Sequence, residues 1–214
     1  MKKLAVILIS VCFLSCSKNY LFKRDQVSIS YNLKVMVFTD QAVRKQNTVL
    51  EREYKIRTPS SVWDSLIVTG AKDLNAIDVS KLPSVSSQLQ KMPMEVKKQF
   101  EKKVKESEKL VFITDSIHAN KIYKILHKYG YPSYYSRTWK SDSLKEGITS
   151  VLTHINHQSI VGKKIKRLML KEYQAGRVSD EEMKHYLWDV DGRKDGSFGK
   201  NIDVNRWIKN NSGE

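Results

Sequence analysis

The sequence predicts a mostly α fold, built as a single multi-helix domain with a loop-rich insertion and an irregular C-terminal tail. Two observations favour helices. Apolar residues recur at spacings of three and four along several segments, and serine, glycine and proline stand where those segments begin or end. A third observation argues against a sheet, because no segment alternates between apolar and polar residues for long enough to require one. We assign the helical domain to residues 30–200 and the tail to residues 201–214.

Length and charge narrow the choice of partners without naming one. A chain of 214 residues, 40% of them hydrophobic, is long enough to bury one medium-sized core. Its formal net charge of +15 at pH 7 predicts attraction to anionic partners. Nucleic acid, anionic lipid and acidic polymers are all negatively charged, so charge alone does not distinguish among them and the cellular compartment is needed to do so.

The N-terminus indicates export. Two lysines follow Met1, residues 4–14 form an apolar run too short for a permanent membrane span, and Ser15 precedes Cys16. This order resembles a bacterial lipoprotein signal, in which residues 1–15 are removed and Cys16 is lipidated. An uncleaved membrane anchor and ordinary secretion are the competing interpretations.

Two details of this signal bear on which cysteine carries the lipid. Phe13 stands where lipoprotein signals usually have leucine three residues before the cysteine. Cys12 is nevertheless the poorer candidate, because Val11 before it is not small and cleavage there would leave a very short apolar region. We therefore assign lipidation to Cys16, which leaves the mature chain without a free cysteine and so excludes disulfides and cysteine catalysis.

A lipidated Cys16 would also fix the compartment and the partners. Residues 16–29 are polar and basic and predict a membrane-proximal tether. Ser17, in place of aspartate, resembles an outer-membrane sorting signal, so we expect a lipid-anchored envelope protein facing the periplasm. Export removes nucleic acid from the expected partners and leaves the membrane itself, an anionic envelope polymer or a protein partner.

The first helix of the domain carries two charges on its apolar face. Over residues 30–57 the clearest stripe consists of Leu33, Met36, Val37, Asp40, Val43 and Arg44. Asp40 and Arg44 lie four residues apart, so their side chains can pair. Their position on the stripe favours a buried ion pair, and a solvated surface pair is the alternative.

The middle of the chain combines loops with two helical segments. Residues 58–93 contain proline and serine clusters and predict the loop-rich insertion, and residues 94–109 predict a solvated helix of mixed charge. A central amphipathic helix follows, with the apolar positions Ile122, Ile125, Leu126 and Tyr129. Gly130 and Pro132 mark its end, because glycine accepts a left-handed conformation and proline cannot continue a helix.

Three further helices are expected after this turn. The first has an apolar face of Leu144, Ile148, Val151, Leu152 and Ile155. His154 lies beside that face and should be half-buried near the helix C-terminus. The second has the apolar positions Val161, Ile165, Leu168 and Met169 and ends at Gly176. The third begins at a capping box at Ser179 and turns inward Met183, Tyr186 and Leu187.

The order of certain polar and turn residues matches a known pattern. These landmarks are Asp40-Gln41 with Arg44, Asp115 with Asn120, Tyr129-Gly130-Tyr131-Pro132-Ser133, His154, Gly176, and Tyr186-Leu187 with Asp189. Together they resemble an uncharacterised bacterial domain-of-unknown-function family with an Asp-Gln-x-x-Arg helix, a Gly-Trp-Pro turn, a His-bearing helix and a Leu-x-Asp-Arg segment followed by Tyr-Gly. The resemblance covers about residues 38–200 and implies a fold and its landmarks, because that family has no established activity.

Three positions depart from the family pattern. Tyr131 stands where the family has tryptophan, and residues 197–199 match its Tyr-Gly segment only loosely. Val190 replaces the arginine that follows Asp189, although Arg193 can occupy similar space.

Three classes of function remain open. The first is a lipid-anchored helical binding or scaffold module with a buried polar network formed by Asp40, Arg44, Asn120, His154 and Asp189. Its candidate binding residues are Arg44, Asn120 and Tyr131. The second is a hydrolase-like enzyme in which His154 is the general base, oriented by Asp40 or Asp189. No Gly-x-Ser-x-Gly, His-Glu-x-x-His or phosphate-binding glycine loop supports it.

The third class is a metal site at His154 and His157, which are three residues apart and could share a helical face. A third ligand at motif spacing is lacking. We favour the binding module and expect no cofactor and no metal.

Overall fold

The structure is a computed structural model that describes residues 2–58, 82–131, 143–193 and 197–211. Seven α-helices and no strand occur in these ranges, which confirms the prediction of a mostly α fold. The helices are α1 Lys2–Glu53, α2 Val85–Gln90, α3 Met94–Tyr129, α4 Ser143–Leu152, α5 Ile160–Gln174, α6 Asp180–Val190 and α7 Val204–Asn211. Over the described ranges, none of these helices is long and apolar enough to cross a membrane.

The backbone is organised as two compact units. The first consists of Met1–Phe38 with Asp115–Glu214, and the second of Thr39–Thr114. Both α1 and α3 contribute residues to each unit, because each helix runs through a boundary. Most of the predicted loop-rich insertion, residues 59–81, lies outside the described residues.

Helix α1 enters the core of the first unit well before residue 30. Phe22 is completely buried and Ile29 is 4% exposed, and the same face continues through Leu33 and Met36. Residues 16–29 were predicted to be a tether, and they are instead helical, with part of the segment packed in the core. Basic and polar residues dominate its composition, so the two buried side chains seven residues apart gave too sparse a pattern to recognise.

Helix α3 is one continuous helix of 36 residues where the sequence predicted two segments. Its last turns bury Ile122, Ile125, Leu126 and Tyr129, as predicted. The helix ends at Gly130, whose N–H donates to the carbonyl of Leu126 at 2.9 Å and whose φ is +77°. The prediction of a left-handed residue at this position is therefore confirmed.

The three helices after the central turn complete the core of the first unit. Their buried apolar residues are Ile148, Val151, Leu152, Ile165, Met169, Met183, Tyr186 and Leu187. Ile155 was expected on the first of these helices, and it is buried instead in the turn that follows α4. The capping box at Ser179 forms as predicted: its hydroxyl accepts from the N–H of Glu182, and the Glu182 carboxylate accepts from the N–H of Ser179. Local capping therefore fixes where α6 begins.

Residues 204–211 form a helix, although the sequence predicted an irregular tail there. Asp203 accepts a hydrogen bond from the N–H of Arg206 at 3.0 Å, which caps the start of α7. Val204 is 2% exposed, and Trp207 and Ile208 pack against the core. Apolar residues at positions 204, 207 and 208 have helical spacing, but the surrounding glycines and asparagines obscured it.

Packing and polar contacts hold the second unit together. The rings of Tyr54 and Phe100 meet edge to face at 5.3 Å between centroids, and Lys103 Nζ contacts Glu53 at 2.6 Å. The side-chain amide of Gln88 accepts from the N–H of Arg57 and donates to its carbonyl, both at 2.8 Å. These contacts connect the end of α1 to α2 and α3.

The two helix-ending glycines differ in their surroundings, which allows a matched test. A Cβ at Gly130 would lie 2.6 Å from Oε2 of Glu172, whereas nothing lies within 4 Å of a Cβ at Gly176, where φ is +70°. We expect Gly176→Ala to lower the free energy of unfolding by about 1–2 kcal/mol through backbone strain alone. Gly130→Ala should cost about 3 kcal/mol or more, because it adds a clash with a buried carboxylate. Urea denaturation measures both, and equal losses would contradict this explanation.

Candidate functional site

The predicted pair of Asp40 and Arg44 forms in the second unit. Nε of Arg44 donates to Oδ1 of Asp40 at 3.0 Å, from one turn of α1 to the next. The Asp40 side chain is only 3% exposed and that of Arg44 is 33% exposed. The pair is thus buried at its acidic end and reaches solvent at its basic end.

Asp189 forms a similar pair in the first unit. Nε of Arg193 donates to Oδ1 of Asp189 at 2.7 Å, and Nη2 of the same guanidinium donates to the carbonyl of Thr153 at 2.9 Å. Nε2 of His185 lies 3.9 Å from the other carboxylate oxygen. Arg193 therefore takes the place beside Asp189 that Val190 leaves without a charge, and it connects α6 to the end of α4.

His154 does not join Asp189. It is half-buried, as predicted, but it lies in the turn that follows α4. Asp189 pairs with Arg193 and lies near His185, so the general-base pair of His154 with Asp189 is not assembled. The side chains of His154 and His157 also do not share a helical face, because residues 153–158 form turns between α4 and α5. Among the described side chains, no three His, Cys, Asp or Glu residues are grouped as metal ligands would be.

The remaining candidates, Asn120 and Tyr131, have different environments. Asn120 is exposed, and its Nδ2 donates to the carbonyl of Ser116 at 2.9 Å. Its side chain therefore forms a hydrogen bond within α3. Tyr131 is 2% exposed and lines a small cavity.

Tyr131 and Asp189 both line that cavity. Its volume is about 110 Å³, and its walls include Leu152, Met169, Glu182, His185 and Tyr186. Burial, and then the nearby charge of Asp189, raise the pKa of the Tyr186 phenol, so this side chain stays a neutral hydroxyl. Sites for substrates and cofactors usually have volumes of about 300 Å³ or more, so this cavity suits a few water molecules better than a ligand.

Glu172, the most deeply buried carboxylate among the described residues of the first unit, was not among the residues predicted from the sequence. Its side chain is 1% exposed and is bound in bidentate fashion by Arg177, with Nη2 2.7 Å from Oε1. The N–H of Tyr131 donates to Oε2 at 3.1 Å, and Nζ of Lys18 lies 3.8 Å from Oε1. Three separate parts of the chain thus converge on one charge. The available signal was that Glu172 continues the buried stripe of Ile165 and Met169.

Opposing effects set the ionisation of Glu172. Burial disfavours the charged form, but the hydrogen bonds from Arg177 and from the N–H of Tyr131 outweigh it, so the pKa of Glu172 lies below its ordinary value of 4.5. The carboxylate is therefore negative at neutral pH and acts as a fixed anion.

A second acid attaches α1 to the end of α3. Asp25 accepts hydrogen bonds from the hydroxyl of Tyr129 at 2.7 Å and from Nζ of Lys128 at 3.0 Å. Together with Arg24, these donors hold the pKa of Asp25 well below its usual range. Both acids serve the packing of α1, of which residues 16–29 were predicted to be a tether.

No protein-family model matches the chain, and no curated protein or solved structure is significantly similar to it. The resemblance to an uncharacterised bacterial family therefore stays a prediction, and the function has to be argued from the site itself.

The lowered pKa of Glu172 predicts a specific pH dependence. A carboxylate whose pKa is lower in the folded chain stabilises the fold above its unfolded pKa, and that stability is lost as pH falls through the folded pKa. Glu172→Gln should therefore reduce the free energy of unfolding by about 2 kcal/mol or more at pH 7, with the difference from wild type shrinking below about pH 4. Glu108→Gln, at an exposed glutamate without an ion pair among the described residues, is the control. A difference for Glu172→Gln that is constant between pH 3 and pH 7 would contradict this account.

Proposed function

We propose that this protein is a lipid-anchored binding module of the bacterial cell envelope and not a hydrolase. The observation that carries the proposal is that Asp189, one of the two carboxylates that could orient His154 in the catalytic alternative, is committed to Arg193. A carboxylate held by a guanidinium 2.7 Å away is a poor orienting group for an imidazole outside that pair. The adjoining cavity of about 110 Å³ is also too small for most substrates. The polar residues of the first unit thus support packing.

The proposed anchor is Cys16, with residues 1–15 removed and the protein held at the outer membrane facing the periplasm. The charge pattern before Cys16 and the small residue Ser15 support this. Lys18 contacts Glu172 and Phe22 is buried, so the chain reaches the core of the first unit only a few residues after the anchor. The proposed partners are the membrane and anionic or protein components of the envelope, and no nucleic acid is involved.

The structural role of the Asp189 pair is tested by removing Arg193. Arg193→Ala leaves a buried carboxylate without its charged partner, so we expect a loss of about 2–4 kcal/mol in the free energy of unfolding. Adding Asp189→Asn to that variant should recover part of the loss, because a buried amide is less costly than an unpaired carboxylate. Catalytic clusters often behave differently, with truncations that leave stability unchanged or raised. A stable Arg193→Ala protein would therefore move the proposal towards an enzyme.

The anchor is tested by cell fractionation. The native protein should collect with membranes and carry an acyl-modified Cys16, and Cys16→Ser should abolish the acylation and release the protein or leave it with an uncleaved signal. Cys12→Ser is the matched control and should leave both the acylation and the membrane location unchanged. Mass spectrometry of the native N-terminus decides the matter, and an unmodified Cys16 would overturn the proposal.

A further inference from the structure

A second cavity of the first unit has a different character from the one beside Asp189. Its volume is about 480 Å³, within the range of small-molecule sites. Its walls include His157, Lys163, Lys166, Arg167, Asp191 and Trp207. It is thus formed by the first turns of α5, the end of α6 and the helix α7 that the sequence analysis took for a tail.

Two cations of this cavity, Lys163 and Arg167, are available to a ligand. Lys163 and Arg167 are exposed, four residues apart on α5, and neither forms an ion pair with any residue in the described part of the chain. Like charges at this spacing repel each other along a helix, so the bare site carries an electrostatic cost. Lys166 on the same helix adds a third positive charge. An anion bound between these side chains would relieve the repulsion.

The opposite wall of the cavity is fixed. Asp191 is the one acid among the described residues that line it, and its Oδ2 accepts a hydrogen bond from Nε1 of Trp207 at 3.1 Å. Nζ of Lys166 lies 5.7 Å from the centre of the Trp207 ring, which holds that lysine over the indole. The carboxylate of Asp191 therefore accepts a hydrogen bond within the wall. With three cations against one acid among the described residues that line it, the cavity keeps an excess of positive charge beside the indole ring.

We propose that this cavity binds a phosphate group, with Lys163 and Arg167 as its principal ligands and Lys166 as the third cation. Guanidinium and ammonium groups are the side chains that recognise phosphate most strongly, and an arginine can bind two of its oxygens at once. The shared chemistry is the phosphate, which either a free phosphorylated molecule or a phospholipid head group can supply. The inference names a ligand class for the proposed binding module and so rests on that function, but not on the lipidation of Cys16.

The test measures binding of inorganic phosphate to the purified full chain in non-ionic detergent by calorimetry at low ionic strength. We expect saturable binding, and a dissociation constant raised about tenfold or more in the double variant Lys163→Gln/Arg167→Gln. The matched control is Lys164→Gln/Lys171→Gln, which removes the same charge from exposed positions of the same helix outside the cavity. It should change the constant by less than about twofold.

A variant in the opposite direction guards against simple damage to the fold. Asp191→Asn keeps an acceptor for Trp207 and removes the acid from the cavity wall, so it should bind phosphate more tightly than the native chain. Weaker binding by Asp191→Asn would count against the proposal. The proposal would be overturned if the native chain showed no saturable binding. It would also be overturned if the two double variants lost binding equally.

Vesicles distinguish the two sources of phosphate. The detergent is removed, the chain is placed on vesicles of equal parts phosphatidylglycerol and phosphatidylcholine or of phosphatidylcholine alone, and the phosphate titration is repeated. Competition by the anionic vesicles supports a phospholipid head group as the ligand, and phosphate binding without competition supports a free phosphorylated molecule. Vesicle binding without phosphate binding, equally reduced in both double variants, is non-specific attraction and overturns the proposal. Failure of this experiment leaves the test of acylation at Cys16 unaffected, so the two proposals are separable.

Discussion

The first unit depends on one buried negative charge. The carboxylate of Glu172 is contacted by Arg177 from the loop after α5, by the N–H of Tyr131 just after α3 and by Lys18 from α1. A buried carboxylate is tolerated only when its partners are in place, so each of these segments has one permitted position relative to it. Gly130 belongs to the same arrangement, because only a residue without a side chain lets the backbone pass so close to the carboxylate. Packing area alone would not impose that register.

The parts of the fold that were predictable share a local cause. The inner face of α3, the left-handed Gly130 and the capping box of Ser179 each follow from residues a few positions apart. The same holds for the pair of Asp40 and Arg44, which lie one helical turn apart. The hydrogen bond from Tyr131 to Glu172, in contrast, spans 41 residues, which no local spacing can show.

Two of the places where the sequence misled concern composition. Residues 16–29 are basic enough to resemble a solvated tether, yet Phe22 and Ile29 face the core. The C-terminal segment is rich in asparagine and glycine, yet Val204 is buried within a capped helix. Average polarity describes what most side chains face, whereas packing is decided by the few that face inward. Both helices contribute to the first unit, so the polar average concealed part of its core.

The early burial of α1 limits how far the protein could reach from a membrane. An α-helix rises about 1.5 Å per residue, so Phe22 lies only about 9 Å along the axis from Cys16. A lipid on Cys16 would therefore be joined to the core of the first unit by a short helical segment, with no flexible linker between them. A protein anchored in this way would diffuse laterally in the bilayer but would stay close to the membrane surface. Its encounters would be confined to molecules that lie in, or come down to, the polar layer of the membrane.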